Sequence, residues 1–386
     1  MKIIDKPSIN NNYSEKEYKK LFHKEKPRNY GIDLLRIFSM INIINLHINL
    51  KTGLLNINSY NIKFKKKWIL ETFSYFSVDC FGLISGIVGF DKYKFSNLIY
   101  LWFISAFYSV AKHLYLYIKN KIKIKTLFLS FFPILIKFHW YVNAYFIMYL
   151  FLPFINFGIK EINKKTFKYL VVFYIFFFSI YYIINAIFIN KDYNFLLGGY
   201  SSSWLTILYI IGSYFGKYIL KSWDISSRII KIMHIINYVG FSLLSSEIFF
   251  ITKKKLLISY LSPTILFQAL SLVMIFSSIK ITNKFLIKII KFITPLTFSA
   301  TLIHSILFSI KINIVLFLFE SIRQFNINFF ILKIYMLSII IFIFCILMDF
   351  FRLLLFKIIR IREICFSLEI IFPKLIDRIF KLLQIF

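Results

Sequence analysis

Ile32-Asp-Leu-Leu-Arg-Ile-Phe-Ser-Met-Ile-Asn-Ile-Ile-Asn-Leu-His-Ile-Asn-Leu50 is the stretch on which the reading of the whole chain turns. As a helix it extends about 28 Å, enough to cross the hydrocarbon core of a bilayer. It nevertheless carries Asp33, Arg36 and His47. Ionisable side chains are costly inside a membrane, so each one raises the question of what it does there. At 100° per residue, eleven residues make three turns plus about 20°, which puts Arg36 and His47 on one face, roughly 16 Å apart along the axis. Asp33, one turn before Arg36, is placed to hold its guanidinium by a charge-assisted bond. Asn42, Asn45 and Asn49 make a second polar stripe on the opposite side. A helix polar on two faces has no place against lipid, so other helices are expected to surround it.

The rest of the chain agrees with a membrane setting. Its 386 residues are 59% hydrophobic and 20% aromatic, with a mean hydropathy of +0.72. A soluble fold of this size has no interior large enough for that much apolar surface. Apolar runs of spanning length fall at about 32–50, 68–90, 95–118, 139–157, 167–189, 203–220, 229–251, 256–279, 292–314 and 329–351. The expectation is an all-α, polytopic transmembrane helix bundle of about ten spans with no soluble domain. A shorter run, 127–136, reads as a re-entrant or interfacial piece, or as an extension of the fourth span.

The formal charge of +31 would suit nucleic acid if it were gathered on one surface. It lies instead between apolar runs, as in Lys65-Lys66-Lys67, Lys164-Lys165 and Lys253-Lys254-Lys255, where basic residues orient spans and meet anionic headgroups. Nucleic acid is therefore not an expected partner; membrane lipids are. The distribution of Lys and Arg between alternate loops favours both termini in the cytoplasm of a cell-membrane protein. Residues 1–28 read as a disordered cytoplasmic tail without a signal peptide, so the first span acts as its own insertion signal. Residues 29–351 form the membrane domain. Residues 352–386, with Arg352, Lys357, Arg360, Arg362, Lys374, Arg378 and Lys381 among apolar residues, read as a basic amphipathic tail along the inner headgroups. Cys80, Cys345 and Cys365 show neither a metal spacing nor a disulfide framework, and no metal is expected.

Five stretches resemble, in order, the acyltransferase-3 family of membrane O-acyltransferases. The first is Asn29-Tyr-Gly-Ile-Asp-Leu-Leu-Arg-Ile-Phe-Ser-Met with His47, which has the family's spacing of an Arg, ten residues and a His. The others are Asp79-Cys-Phe-Gly-Leu-Ile-Ser-Gly, then His139-Trp-Tyr-Val-Asn-Ala-Tyr running to Leu152-Pro153-Phe154, then Ser203-Trp204 through Ile211-Gly212, then Pro295-Leu-Thr-Phe-Ser-Ala-Thr-Leu-Ile-His304. Thr301 departs from the pattern, which has an aromatic residue at that place. The resemblance covers roughly residues 29–350.

It implies transfer of an acyl group, usually acetyl, from acetyl-CoA or another acyl-CoA to a hydroxyl of a cell-surface or lipid-linked glycan, with no bound cofactor. His47 would be the general base, and Arg36 the positive charge for CoA phosphates or the oxyanion. The resemblance further marks Asp33, Asp79, Ser85, Trp140, Tyr141 and His304 as candidates for binding substrate or acyl-CoA. Structural roles compete for each. Arg36 and His47 suit snorkelling to the two interfaces, and His304 suits a bond to a backbone carbonyl. Ser85 suits a helix contact, and Trp140 with Tyr141 an aromatic belt. Asp79 needs a partner, for which Arg36 or nearby backbone serves. His23 and His234 read as loop or packing residues and His113 as an interfacial anchor. The tail after residue 351 is too short for a fused extracytoplasmic domain, so the acceptor is modified directly or through a separate acyl-transfer partner. The competing reading is a carrier or flippase for a lipid-linked saccharide, against which stands the expected lack of Gly/Pro-broken spans in paired halves.

Overall fold

A computed structural model describes residues 28–51, 62–189, 196–222, 227–310 and 330–383. The expected N-terminal tail through residue 27, with His23, lies outside them. The described residues form helices and no strand: α1 Tyr30–Lys51, α2 Ile62–Thr72, α3 Ser77–Gly89, α4 Phe95–Ile118, α5 Ile124–Leu129, α6 Trp140–Glu161 and α7 Lys164–Ile184. They continue as α8 Ser202–Tyr214, α9 Arg228–Thr252, α10 Pro263–Ser277, α11 Lys284–Ile293, α12 Thr297–Ile310, α13 Phe330–Ile358 and α14 Ile361–Leu383.

Among the described residues, seven segments are long and apolar enough to cross a membrane: Tyr30–Lys51, Lys65–Gly89, Trp140–Glu161, Lys164–Phe188, Arg228–Thr252, Lys284–Ile310 and Ile331–Ile358. The expected spans at 95–118, 203–220 and 256–279 are also helical, as α4, α8 and α10, but fall short of that standard, α10 being only 15 residues long. Seven such segments thus stand against an expected ten. Phe173, Phe176 and Phe188 on and after α7 are exposed, as lipid-facing positions must be.

The first helix is central, as its two polar faces require. α1 packs against α3, α10, α12 and α13 together, and Asn42, Asn45 and Asn49 are fully buried. The most extensive crossing is α3 on α8, and glycine makes it possible. A Cβ on Gly86 would lie 2.0 Å from the Tyr209 carbonyl oxygen, and one on Gly212 would lie 2.1 Å from that of Leu83. Without a hydrophobic drive between helices in lipid, such close backbone packing supplies much of the attraction.

Two of the seven segments are broken. A turn at residues 73–76 separates α2 from α3, and a 3-10 turn, Thr294–Leu296 with Pro295, separates α11 from α12. Backbone groups freed inside a membrane need partners. Tyr238 donates to the Phe73 carbonyl at 2.7 Å, and Ser77 to that of Ser74 at 2.6 Å. At the second break Thr297 donates to Thr294 O at 2.8 Å. The expected lack of Gly/Pro-broken spans is therefore corrected at one place, Pro295, while the break at residues 73–76 contains neither Gly nor Pro.

Two further differences concern the flanks. The 127–136 run is no extension of the fourth span, because α5 ends at Leu129 and extended His139 precedes α6. Its exposed Phe128, Phe131, Phe132 and Leu135 suit an interfacial piece. The helix expected to stop at residue 351 runs on to Ile358, so Arg352 is not a headgroup residue. It is only 2% exposed and grips Asp349 with two bonds, of 2.8 and 2.7 Å. A buried guanidinium needs such a partner, and the i, i+3 spacing on one helix supplies it.

Candidate active site

A cavity of about 680 Å³ runs along the Arg36–His47 face of α1. At one end lie Arg28, Arg36, Asn97, Tyr100 and Arg362; at the other are His47, Glu71, His139, Trp140, Tyr200 and Tyr260. Eleven residues of helix separate Arg36 from His47, so the cavity follows their shared face for about 16 Å.

Asp33 organises the arginine end. Its carboxylate is buried and accepts from Arg36 Nη1 at 2.8 Å and from Arg28 Nε at 2.5 Å. The expected Asp33–Arg36 bond is present, and Arg28 is a second partner that helix periodicity did not reveal. With one bond to each oxygen, Asp33 holds the two arginines in place, and it is not itself among the residues that line the cavity.

The histidine end joins two distant parts of the chain. His47 Nδ1 lies 2.8 Å from His304 Nε2, and His304 Nδ1 lies 2.6 Å from the Ala300 carbonyl oxygen. A carbonyl oxygen only accepts, so His304 Nδ1 carries a proton. In neutral His304 the Nε2 atom is then an acceptor, and His47 Nδ1 donates to it. This leaves the lone pair of His47 on Nε2, on a residue that lines the cavity. His304 makes the carbonyl bond proposed for it on structural grounds and orients His47 as well. Its ring is fully buried behind His47.

Aromatic rings close this end. Trp140 meets Tyr200 edge-on at 4.6 Å and lies flat beside Tyr260 at 6.5 Å, while Tyr75 reaches Tyr260 at 5.0 Å. Burial holds the Tyr200 phenol above its ordinary pKa, partly offset by bonds to Tyr260 and Tyr75, so it stays a neutral donor and acceptor. Glu71 accepts from Asn49 Nδ2 at 3.0 Å and lines the same wall.

The remaining candidates divide. Trp140, Tyr141 and Ser85 line the cavity, and Ser85 donates to Phe81 O at 2.8 Å on its own helix. Asp79 is fully buried and away from the lining; its partner is Trp204 Nε1 at 3.2 Å, not Arg36 or backbone. His113 bonds Ser109 O at 2.7 Å, a packing role.

Sequence reasoning left out several lining residues. His139 belongs to the quoted His-Trp-Tyr element, and its Nε2 lies 3.2 Å from Ser305 Oγ beside the His47–His304 pair. Glu71 is an ionisable residue inside a span and answers to the same rule that singled out Arg36. Tyr200 and Tyr260 come from loops, and no local pattern marks them; the basic C-terminal stretch marks Arg362 for headgroups, not for this wall.

A profile of an acyltransferase domain matches residues 29–350, most of the chain. No curated protein and no solved structure gives a match. The chain belongs to the acyltransferase-3 family and is a membrane acyltransferase.

Proposed function

We propose, taking that membership as the premise, that this protein transfers acetyl from acetyl-CoA to a hydroxyl of a cell-surface or lipid-linked glycan. One observation carries the reading: Arg36 and His47 line a single cavity, and His304 holds the His47 ring with its lone pair on Nε2. In this mechanism Nε2 takes the proton of the acceptor hydroxyl as its oxygen attacks the thioester carbonyl carbon. The new C–O bond forms, the C–S bond breaks, and the proton passes from His47 to the departing CoA sulfur. Arg36, about 16 Å along the helix from His47, supplies positive charge toward the phosphate end of the donor. The aromatic wall with Glu71 suits a sugar, whose C–H faces pack on rings while its hydroxyls bond to carboxylate and phenol.

The protein would sit in the cytoplasmic membrane with both termini inside, its arginine end toward cytoplasmic acyl-CoA and its histidine end toward the outer acceptor. It would act on its acceptor directly or hand the acyl group to a separate extracytoplasmic partner. Mass spectrometry of surface glycans from cells with and without the protein tests the reading. An acetyl increment of glycan that disappears with the protein supports it; identical acetylation in both contradicts it.

The two broken segments favour a second reading, a carrier for a lipid-linked saccharide, because discontinuous helices often line transport sites. Glu71 just before one break and Tyr75 within it are on the cavity wall, and Thr294, Pro295 and Thr297 span the other. Glycan translocated without acetyl transfer would select it.

A further inference from the structure

The cavity wall includes two residues from outside the family-matched stretch, Arg28 just before it and Arg362 after it. Arg362 is in the first turn of α14, and its guanidinium lies over the Tyr100 ring at 4.2 Å. The helix that carries it is fastened to the bundle. Glu369 accepts from the Phe95 backbone N–H at 2.7 Å, and Phe372 stacks on Phe95 at 5.4 Å. Tyr100 is itself fixed, because its hydroxyl accepts from Arg352 Nη1 at 3.1 Å.

The two C-terminal arginines next to Tyr100 are in opposite states. Arg352 is buried, and its charge is met by Asp349. Arg362 is exposed at the cavity mouth, and among the described residues no carboxylate pairs with it. Arg28 and Arg36 share the single carboxylate of Asp33. Three guanidiniums therefore line one cavity, and the only carboxylate paired with any of them among the described residues is Asp33. An excess of planar, permanently charged donors of this kind matches phosphate oxygens.

We propose that Arg362, held on the Tyr100 face and acting with Arg28 and Arg36, forms a phosphate-anchoring subsite for the nucleotide end of the thioester donor. The C-terminal helix is then a working part of the donor site and sets the preference for donors that carry phosphates. The proposal rests on the acyltransferase reading for its ligand. The same phosphate chemistry has a second source, the headgroups of anionic lipids, which the experiment separates.

Two assays on the full-length protein in neutral detergent test it, with a thermal melt to confirm that Arg362→Gln is folded. In the first, adenosine 3′,5′-bisphosphate is titrated by calorimetry into wild type and Arg362→Gln. Wild type is expected to bind and the variant to lose about tenfold in affinity, with Arg362→Lys between them. Equal binding by wild type and Arg362→Gln, or no binding by wild type, overturns the subsite. So does binding of phosphatidylglycerol, but not of the bisphosphate, that depends on Arg362. In the second, kcat/KM is compared for acetyl-CoA and S-acetylpantetheine, which has no nucleotide. Arg362→Gln is expected to shrink the preference for acetyl-CoA about tenfold through KM; an unchanged preference overturns the proposal. Bisphosphate binding without transfer from either donor leaves the subsite standing and removes the acyltransferase reading.

Discussion

The two polar faces of α1 are made of similar material and do different work. On one, Asn42, Asn45 and Asn49 are fully buried and bonded inside the bundle. Asn42 Oδ1 accepts from Ser74 and Tyr335 at 3.0 Å each, and Asn45 donates to Ser74 at 2.7 Å. On the other, Arg36 is bonded to Asp33 and His47 to His304, and both residues line the cavity. Polarity within a membrane therefore does not identify a site. What identifies it is donor and acceptor capacity left over and turned toward a space large enough for a ligand.

The comparison breaks most sharply at His47. His47→Ala is expected to cut acetyl transfer per folded molecule by about 10³-fold, since it removes the base; single-turnover assays with labelled acetyl-CoA measure it. Arg36→Gln should lose on the order of 10²-fold in kcat/KM for acetyl-CoA, mainly through KM, because its charge serves the donor. His304 acts through His47, so His304→Leu should cost about 10-fold in kcat with KM little changed. His304→Gln, whose Oε1 is able to accept from His47 Nδ1, should restore most of it. The asparagine face should behave in the opposite way. Asn42→Leu is expected to lower stability by about 1–3 kcal/mol, because Ser74 and Tyr335 lose a buried partner. Its kcat per folded molecule should stay within about twofold, as measured on detergent-purified protein with a thermal melt alongside. A large kcat loss in Asn42→Leu would erase the distinction between the faces.

Much of this was legible in the sequence, for physical reasons. Spanning length shows as apolar run length, and the two faces of α1 follow from 3.6-residue periodicity alone, so the central placement of the helix could be derived. The Arg36–Asp33 pair is a local i, i+3 contact and was equally accessible. The His47–His304 bond was not, because nothing local encodes a contact across 257 residues. The break at residues 73–76 was hidden as well: Phe73-Ser-Tyr-Phe76 contains neither Gly nor Pro, and tertiary partners such as Tyr238 stabilise the interruption. Arg352 misled in another way. A basic residue in an amphipathic stretch reads as solvated until the carboxylate beneath it, Asp349, is seen to bury it.

The central claim is that the Arg36–His47 face opens on the donor's cavity while the asparagine face is sealed. Single cysteines at these positions test it most directly, with a small methanethiosulfonate reagent and mass spectrometry to locate the adduct; the native Cys80, Cys345 and Cys365 are buried. His47→Cys should be labelled rapidly and protected by added CoA, whereas Asn45→Cys should stay unlabelled until the protein is unfolded. Fast labelling at Asn45→Cys with none at His47→Cys, or labelling at His47→Cys that CoA does not slow, would contradict the account.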